Sequence, residues 1–271
     1  MLVTTRTEEN KFVKLARGNY KDGFTEFEIK DFSEFNELVC DELLDIPNYI
    51  WRGQRDSEWL LESTLSRTIK GIVDDEENVN SYINNHLKNF KYATRGRRGF
   101  NPAKLTEEEW WALGQHHGLD TPLLDWSISP YVAAFFAFSE EAKSTDGFRA
   151  IYAFNKPEIE MKSEEILEDP SCGNEDIIRF INPLTDENQR LVNQSGLFTL
   201  GPISVDLKSW ICNNFKNDTR RQRLMKIKVP DEQREMFLKA LNRMNINHLT
   251  LFPDLTGASL YCNLSSKIKN Y

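Results

Sequence analysis

Two stretches of this 271-residue chain hold side chains whose types and spacing could do chemistry. Trp51-Arg52-Gly53-Gln54 places an arginine late in an apolar run and follows it with glycine. A planar guanidinium at such a place suits capture of a phosphate or pyrophosphate, and a residue without Cβ lets a ligand approach the main chain. The same spacing also suits an arginine buried in an ion pair with one of the many acids. The second stretch, Gln115 to Ser127, packs His116, His117, Asp120, Asp125 and Ser127 beside apolar residues. Such polar density is costly unless it is hydrogen-bonded. Adjacent histidines at a helix end diverge and no third spaced ligand follows, so no metal is expected. Ser127 lacks the Gly-x-Ser-x-Gly turn of a serine hydrolase. The plainer alternative is that Asp125 caps the following turn and one histidine is a hydrogen-bonded core residue.

The elements that must position these residues follow from period and punctuation. Phe32, Phe35, Leu38 and Val39 recur at helical spacing, which predicts a helix over Asp31–Leu44 ended by Pro47. Tyr49 to Gly53 is a short β-rich run. Thr106-x-x-Glu109 is a capping box with Leu105 as its staple, and it starts a helix from about Glu107 to Gln115. Leu123 to Trp126 is a strand, and Ser129-Pro130 opens a helix with Val132, Ala133, Phe136 and Ala137 on one face. Phe148 to Phe154 is an alternating strand, Asn188 to Asn193 a helix and Gly196 to Leu200 a strand. Glu232 to Leu241 is a helix and His248 to Phe252 a buried strand-like run. The class is α+β.

Composition narrows the functional classes. With 34 Lys+Arg against 42 Asp+Glu the net charge is −8, which argues against a surface uniformly basic for nucleic acid. The charge is uneven, however. Acids concentrate at 21–45 and 158–176, whereas His86 to Phe100 carries Lys88, Lys91, Arg95, Arg97 and Arg98 with no acid. The aromatic residues Phe90, Tyr92 and Phe100 interleave these bases, a pairing suited to tracking phosphates while stacking bases. Solvated basic faces balancing acidic neighbours are the plain alternative. Lys216 to Lys228, with Arg220, Arg221 and Arg223, is a second basic run that could form another wall. Four cysteines without Cys-x-x-Cys spacing are expected to be buried small apolar residues in a reducing compartment. The N-terminus lacks a signal-peptide core, and the longest apolar run, Tyr131 to Phe138, is too short to span a bilayer. A cytoplasmic protein with no membrane partner is expected. The absence of repeats and linkers predicts a single domain over 1–271, with 1–30 as an N-terminal extension.

Five motifs occur in order: Trp51-Arg52-Gly53-Gln54; Trp59-x-Leu61-x-Ser63-x-Leu65-x-Arg67; Gln115-His116-His117-Gly118 through Leu124-Asp125-Trp126 to Ala133 and Phe136; Arg190-x-x-x-Gln194-x-Gly196-x-Phe198; and Leu251-Phe252-Pro253-Asp254-Leu255. Together they resemble the FRG domain family, from about Asp31 to Thr256. The family is named for an aromatic-Arg-Gly motif, with tryptophan in the aromatic place here. It is similar to the ADP-ribosyltransferase fold, which implies a split pair of small sheets with flanking helices and NAD, as substrate, in the cleft.

The resemblance implies that Arg52 grips the NAD phosphates, with Arg67 or Arg190 beside it, that Gly53 and Gln54 contact the nicotinamide end, and that Ser127 is the hydroxyl residue ending a later strand. The Glu-x-Glu place is where the sequence departs from the pattern. Glu158-Ile-Glu160 has the literal spacing, but Gln194 sits at the family's own motif and is preferred. Because an amide cannot act as a base, Asp125, His116 or Glu187 must serve. The implied activity is ADP-ribosyl transfer with release of nicotinamide, by a bacterial or phage-conflict toxin that modifies nucleic acid, RNA favoured over DNA. Lys91, Arg95, Arg97 and Arg98 are the expected nucleic-acid contacts, and an antitoxin protein is a possible partner. A non-catalytic module that senses NAD or nucleic acid in a defence system is the alternative.

Overall fold

The structure, a computed structural model, describes residues 21–72, 76–183, 192–219 and 221–271. Its centre is a seven-stranded sheet in the order β1-β7-β4-β2-β3-β6-β5. The strands are β1 Phe24–Glu28, β2 Tyr49–Gln54, β3 Leu123–Ser127, β4 Phe148–Asn155, β5 Arg179–Ile181, β6 Gly196–Leu200 and β7 Leu224–Pro230. β1 runs parallel to β7 and the other neighbours are antiparallel. Where the resemblance implies a split pair of small sheets, these strands form one sheet with a weak joint at its middle. β2 pairs with β4 along its whole length but meets β3 only where Trp51 lies opposite Ser127. Beyond that pair the two strands part, and the opening between them is where the site lies.

α1 (Phe32–Glu37) starts at Asp31, whose carboxylate accepts from Glu34 N, and continues as a π-helical turn over Leu38–Leu43. α2 (Thr64–Lys70) is capped by Ser63, and α3 (Glu76–Ala93) follows it. α4 (Glu107–His116) has both hydrogen bonds of the expected Thr106–Glu109 capping box. α5 (Pro130–Phe138) has Ser129 as N-cap and proline in its first turn. Its expected single apolar face is too narrow a description. Val132, Ala133, Ala134, Phe135, Ala137 and Phe138 are all buried, because α5 packs on β2 and β4 while α1 and α8 (Arg234–Arg243) close over it. Each such aliphatic or aromatic side chain contributes about 1.5–3 kcal/mol by leaving water. β4 lies in the sheet interior and is buried on both faces, which removes its expected alternation.

On the opposite sheet face, α6 (Lys156–Leu167) and α7 (Leu207–Asn214) deliver Ile159, Leu207, Trp210 and Ile211 to a second core. Leu65, Ile69, Leu87 and Trp111 of α2, α3 and α4 form a third over Leu123 and Phe198. Residues 248–251, expected as a strand, are helix α9 (His248–Leu251). Asn247 accepts from Leu249 N and Thr250 N, and this local capping outweighs the β-rich composition. α10 (Leu255–Lys267) follows Asp254 as its N-cap. The cysteines also depart from expectation: Cys40 and Cys262 are exposed and Cys172 and Cys212 partly so, because they lie on outward faces or connections. Among the described residues no helix is long and apolar enough to cross a membrane.

Candidate functional site

A cavity of about 680 Å³ opens where β2 and β3 part. Arg52, Gly53, Gln54, Arg67, His116, Asp125, Ser127 and Gln194, singled out from sequence, all line it. Arg52 occupies the gap in the sheet. Its Nη1 donates to the main-chain oxygen of Asp125 at 2.8 Å and lies 3.8 Å from Asp125 Oδ2, while its Nε is buried without a hydrogen-bond partner. A side chain thus satisfies a carbonyl that the interrupted ladder leaves open. Burial lowers the Arg52 pKa; Asp125 opposes that shift and the nearby Arg67 adds to it. The cavity therefore contains an under-compensated cation, an environment that favours a bound anion.

Asp125 is 64% exposed, and its carboxylate is oriented from α4: Gln115 Nε2 donates to Asp125 Oδ1 at 2.6 Å while Gln115 Oε1 accepts from the buried Thr121 hydroxyl. His116, from the same helical turn, lies at the cavity with its ring edge-on to His117.

Three expectations change. Gly53 was read as making room for a ligand, but its missing Cβ makes room for α5: a methyl there would lie 2.0 Å from Ala133 O and 2.5 Å from Ala137 N. We expect Gly53→Ala to cost at least the ~3 kcal/mol at the upper end of ordinary core overpacking, read as a lower urea midpoint. An unchanged midpoint would show that α5 can move away.

Ser127 and Gln194 were assigned to ligand contact, yet their hydrogen bonds go to the main chain. Ser127 Oγ donates to Gln194 O at 2.7 Å and accepts from Ser129 N, and Gln194 Nε2 donates to Leu251 O at 3.2 Å. They join β3, the turn before β6 and α9 into one wall. Glu158 and Glu160 lie on α6, where Glu158 pairs with Arg221 and Arg223 instead of lining the cavity.

Arg190 and Glu187 lie outside the described residues, as do Arg220 and all of the expected helix 188–193 except its last two residues. Lys91, Arg95, Arg97 and Arg98 are not part of the cavity lining; they occupy the end of α3 and the turn after it.

Sequence reasoning missed Arg55, Glu58, Glu62 and Glu140, which add charge to the cavity wall. Arg55 Nε lies 3.2 Å from Glu140 Oε2, and its guanidinium covers the Trp59 ring at 4.7 Å from the centroid. Glu62 pairs with Lys70, and its main-chain oxygen accepts from Arg67 Nη1 at 2.9 Å. Proximity to the Arg52 and Arg67 motifs was the available signal; nothing in the spacing of Glu140 marks it.

Behind the wall, His248 is buried between Phe135 and Phe252, and its Nδ1 has no partner. Burial, then the charge of Arg234, lowers its pKa, so the native state holds a neutral imidazole. The unfolded chain takes up this proton near pH 6.5 while the folded one resists. His248 thus contributes stability in full above that pH and loses it as pH falls toward its folded value. The slope is at most about 1.4 kcal/mol per pH unit. Urea titrations at descending pH should show this loss for the wild type and a flatter profile for His248→Leu; parallel profiles would exclude His248 as the cause.

Residues 47–146 match the family model of the FRG domain. No curated protein matches the chain, and no solved structure does. The matched stretch supplies β2, α4, β3 and α5, and with them the cavity-lining Arg52, Arg67, His116, Asp125 and Ser127, whereas Gln194 comes from beyond it. The stretch that is similar to the FRG domain thus builds most of the cavity.

Proposed function

We infer that this cavity binds NAD as substrate and catalyses ADP-ribosyl transfer to a nucleic acid, RNA in preference to DNA, with release of nicotinamide. The observation that carries the reading is that Arg52 and Arg67, together with Asp125 from 58 positions beyond Arg67, line one cavity of about 680 Å³ at the break in the sheet. The residues fit the group: a buried arginine with an unpartnered Nε and a second arginine supply cationic donors for a pyrophosphate. NAD supplies a ribose whose bond to nicotinamide breaks, the electron pair leaving with nicotinamide as the acceptor atom bonds to the anomeric carbon.

Arg52 and Arg67 would hold the pyrophosphate, and the Asp125 carboxylate, oriented by Gln115, would stabilise the positive charge that develops on the ribose. Asp125 or His116 would take the proton from the acceptor. Ser127 and Gln194 keep the wall in register instead of touching substrate. Lys91, Arg95, Arg97 and Arg98, in a stretch from His86 to Phe100 that contains no acid, would meet the acceptor. Such an enzyme would act in the cytoplasm as a toxin in conflict between bacteria and phage, paired with an antitoxin protein.

Incubation with NAD labelled in its adenylate half and with RNA, DNA or total protein tests the reading. Release of nicotinamide together with label on RNA is expected. No label on any polymer, with Arg52→Ala indistinguishable from wild type, would overturn it. Internal use of the Ser127 and Gln194 side chains favours a second reading, a non-catalytic NAD-sensing module. Tight NAD binding by calorimetry without nicotinamide release would select it.

A further inference from the structure

The two basic stretches have opposite surroundings in the fold. Along and before β7 the cations meet carboxylates: Arg223 lies 2.9 Å from Asp218, Lys226 2.9 Å from Glu26 and Lys228 3.0 Å from Asp146, and Arg221 pairs with Glu158. Four cations of this stretch, Arg221, Arg223, Lys226 and Lys228, are therefore committed to carboxylates, which argues against the second basic wall that its sequence suggests. At the end of α3 and in the turn after it, cations lie on aromatic faces and donate to carbonyls. Arg98 Cζ lies 4.8 Å and Lys91 Nζ 5.8 Å from the Trp110 ring centroid, and Arg95 Cζ lies 4.3 Å from that of Tyr92. Arg97 Nε donates to Ala93 O at 3.0 Å, and Arg98 Nη2 to Ala103 O at 3.1 Å. Lys88, Lys91, Arg95 and Arg97 form no ion pair among the described residues. Phe100 is fully exposed beside them.

Cations held on aromatic faces, next to an exposed ring, match a polynucleotide with unpaired bases. The phosphates meet the ammonium and guanidinium groups, and base faces stack on Phe100 and on the guanidinium planes. A duplex offers the phosphates but keeps its base faces inside, and an acidic peptide leaves Phe100 unmatched. Trp110 belongs to α4, whose last turn brings Gln115 and His116 to the cavity. His116 lies six positions after Trp110, about 9 Å along the helix axis.

We propose that the face formed by the end of α3, the following turn and Trp110 of α4 docks single-stranded nucleic acid and leads an unpaired base along α4 to the cavity. What happens at the cavity rests on the transferase reading; the docking itself does not.

Fluorescence anisotropy of a short labelled single-stranded RNA, without NAD, is the test. Variants are the triple change Lys91→Glu, Arg95→Glu, Arg97→Glu and, in case that one fails to fold, Phe100→Ala at a fully exposed position. Wild-type binding should weaken with salt at a log–log slope of roughly −2 to −3, as three or four phosphate contacts give. The triple variant should bind at least about tenfold more weakly with a shallower slope. Phe100→Ala should lose at least about fivefold, the lower end for one stacked base. An RNA duplex should bind more weakly than the single strand, and polyglutamate should compete poorly. Equal affinity for duplex, displacement by polyglutamate at equal charge, or unchanged binding by both variants would overturn the proposal. Binding as expected with no nicotinamide release leaves the docking surface standing and removes the transferase reading; release with patch-independent binding does the reverse.

Discussion

Replacing Arg149 with methionine lowers the thermal unfolding midpoint by on the order of 10 °C, because a buried cation is removed from partners that have no substitute. Arg149 is fully buried on β4. Its Nε pairs with Asp231, its Nη1 donates to Ala137 O at 2.8 Å and to Glu140 O at 2.9 Å, and its Nη2 donates to Ala142 O at 3.0 Å. One side chain thus satisfies carbonyls at and beyond the C-terminal end of α5 and ties them to the end of β7. The guanidinium also lies 5.4 Å from the Phe138 ring centroid. Methionine fills much of the space but leaves the Asp231 carboxylate unpaired and these carbonyls unsatisfied, a loss of about 3–5 kcal/mol.

Against the 5–15 kcal/mol of a typical native state this is a large fraction. The loss should also reach the site, since Ser139 and Glu140 form part of the cavity wall. Differential scanning calorimetry checks the shift. Asp231→Leu added to Arg149→Met should restore part of it, since removing both charges relieves the buried carboxylate. A shift under about 3 °C for the single variant would mean that water replaces the guanidinium.

Asp125→Asn should reduce nicotinamide release by about 10²–10³-fold with little effect on the folded state. The carboxylate is largely exposed, Arg52 keeps its hydrogen bond to the Asp125 main-chain oxygen, and asparagine can still accept from Gln115 Nε2. What disappears is negative charge at the place where the ribose would become cationic. Arg52→Ala should produce a loss of the same order together with weaker NAD binding and measurable destabilisation. In the transferase reading its guanidinium would hold the substrate phosphates, and it donates to the Asp125 main-chain oxygen, which its loss would leave open. The two variants are therefore distinguishable: the Asp125 change acts on turnover at saturating NAD, and the Arg52 change raises KM as well. Wild-type turnover by Asp125→Asn would assign the stabilising charge to another cavity carboxylate, with Glu58, Glu62 and Glu140 as the candidates.

Local chemistry made much of this fold legible in the sequence. The Thr106–Glu109 box, the Ser129-Pro130 start and the Gly196–Leu200 strand appear at their expected places, because caps and short-range periodicity act within a few residues. Arg52, Asp125 and Gln194 were also recognisable as residues worth placing together. Their hydrogen-bond partners were not. That Gly53 faces helix backbone, that Ser127 and Gln194 bond to the main chain, and that Glu58, Glu62 and Glu140 surround the arginines all depend on how β2, β3 and α5 meet.

Charge gives the clearest division. The sequence alone determined two basic stretches within a chain of net charge −8, and the types of side chain that could meet a phosphate. Only the tertiary structure decided which stretch stays available. β1 lies parallel to β7 and brings Glu26 and Glu28 to Lys226 and Lys228, whereas Lys91 near the end of α3 lies over Trp110 and Arg95 just after it over Tyr92, rings with no charge to neutralise them. The physical reason is range: propensity and capping act between chain neighbours, while ion pairing depends on strand order, which brings together residues about 200 positions apart.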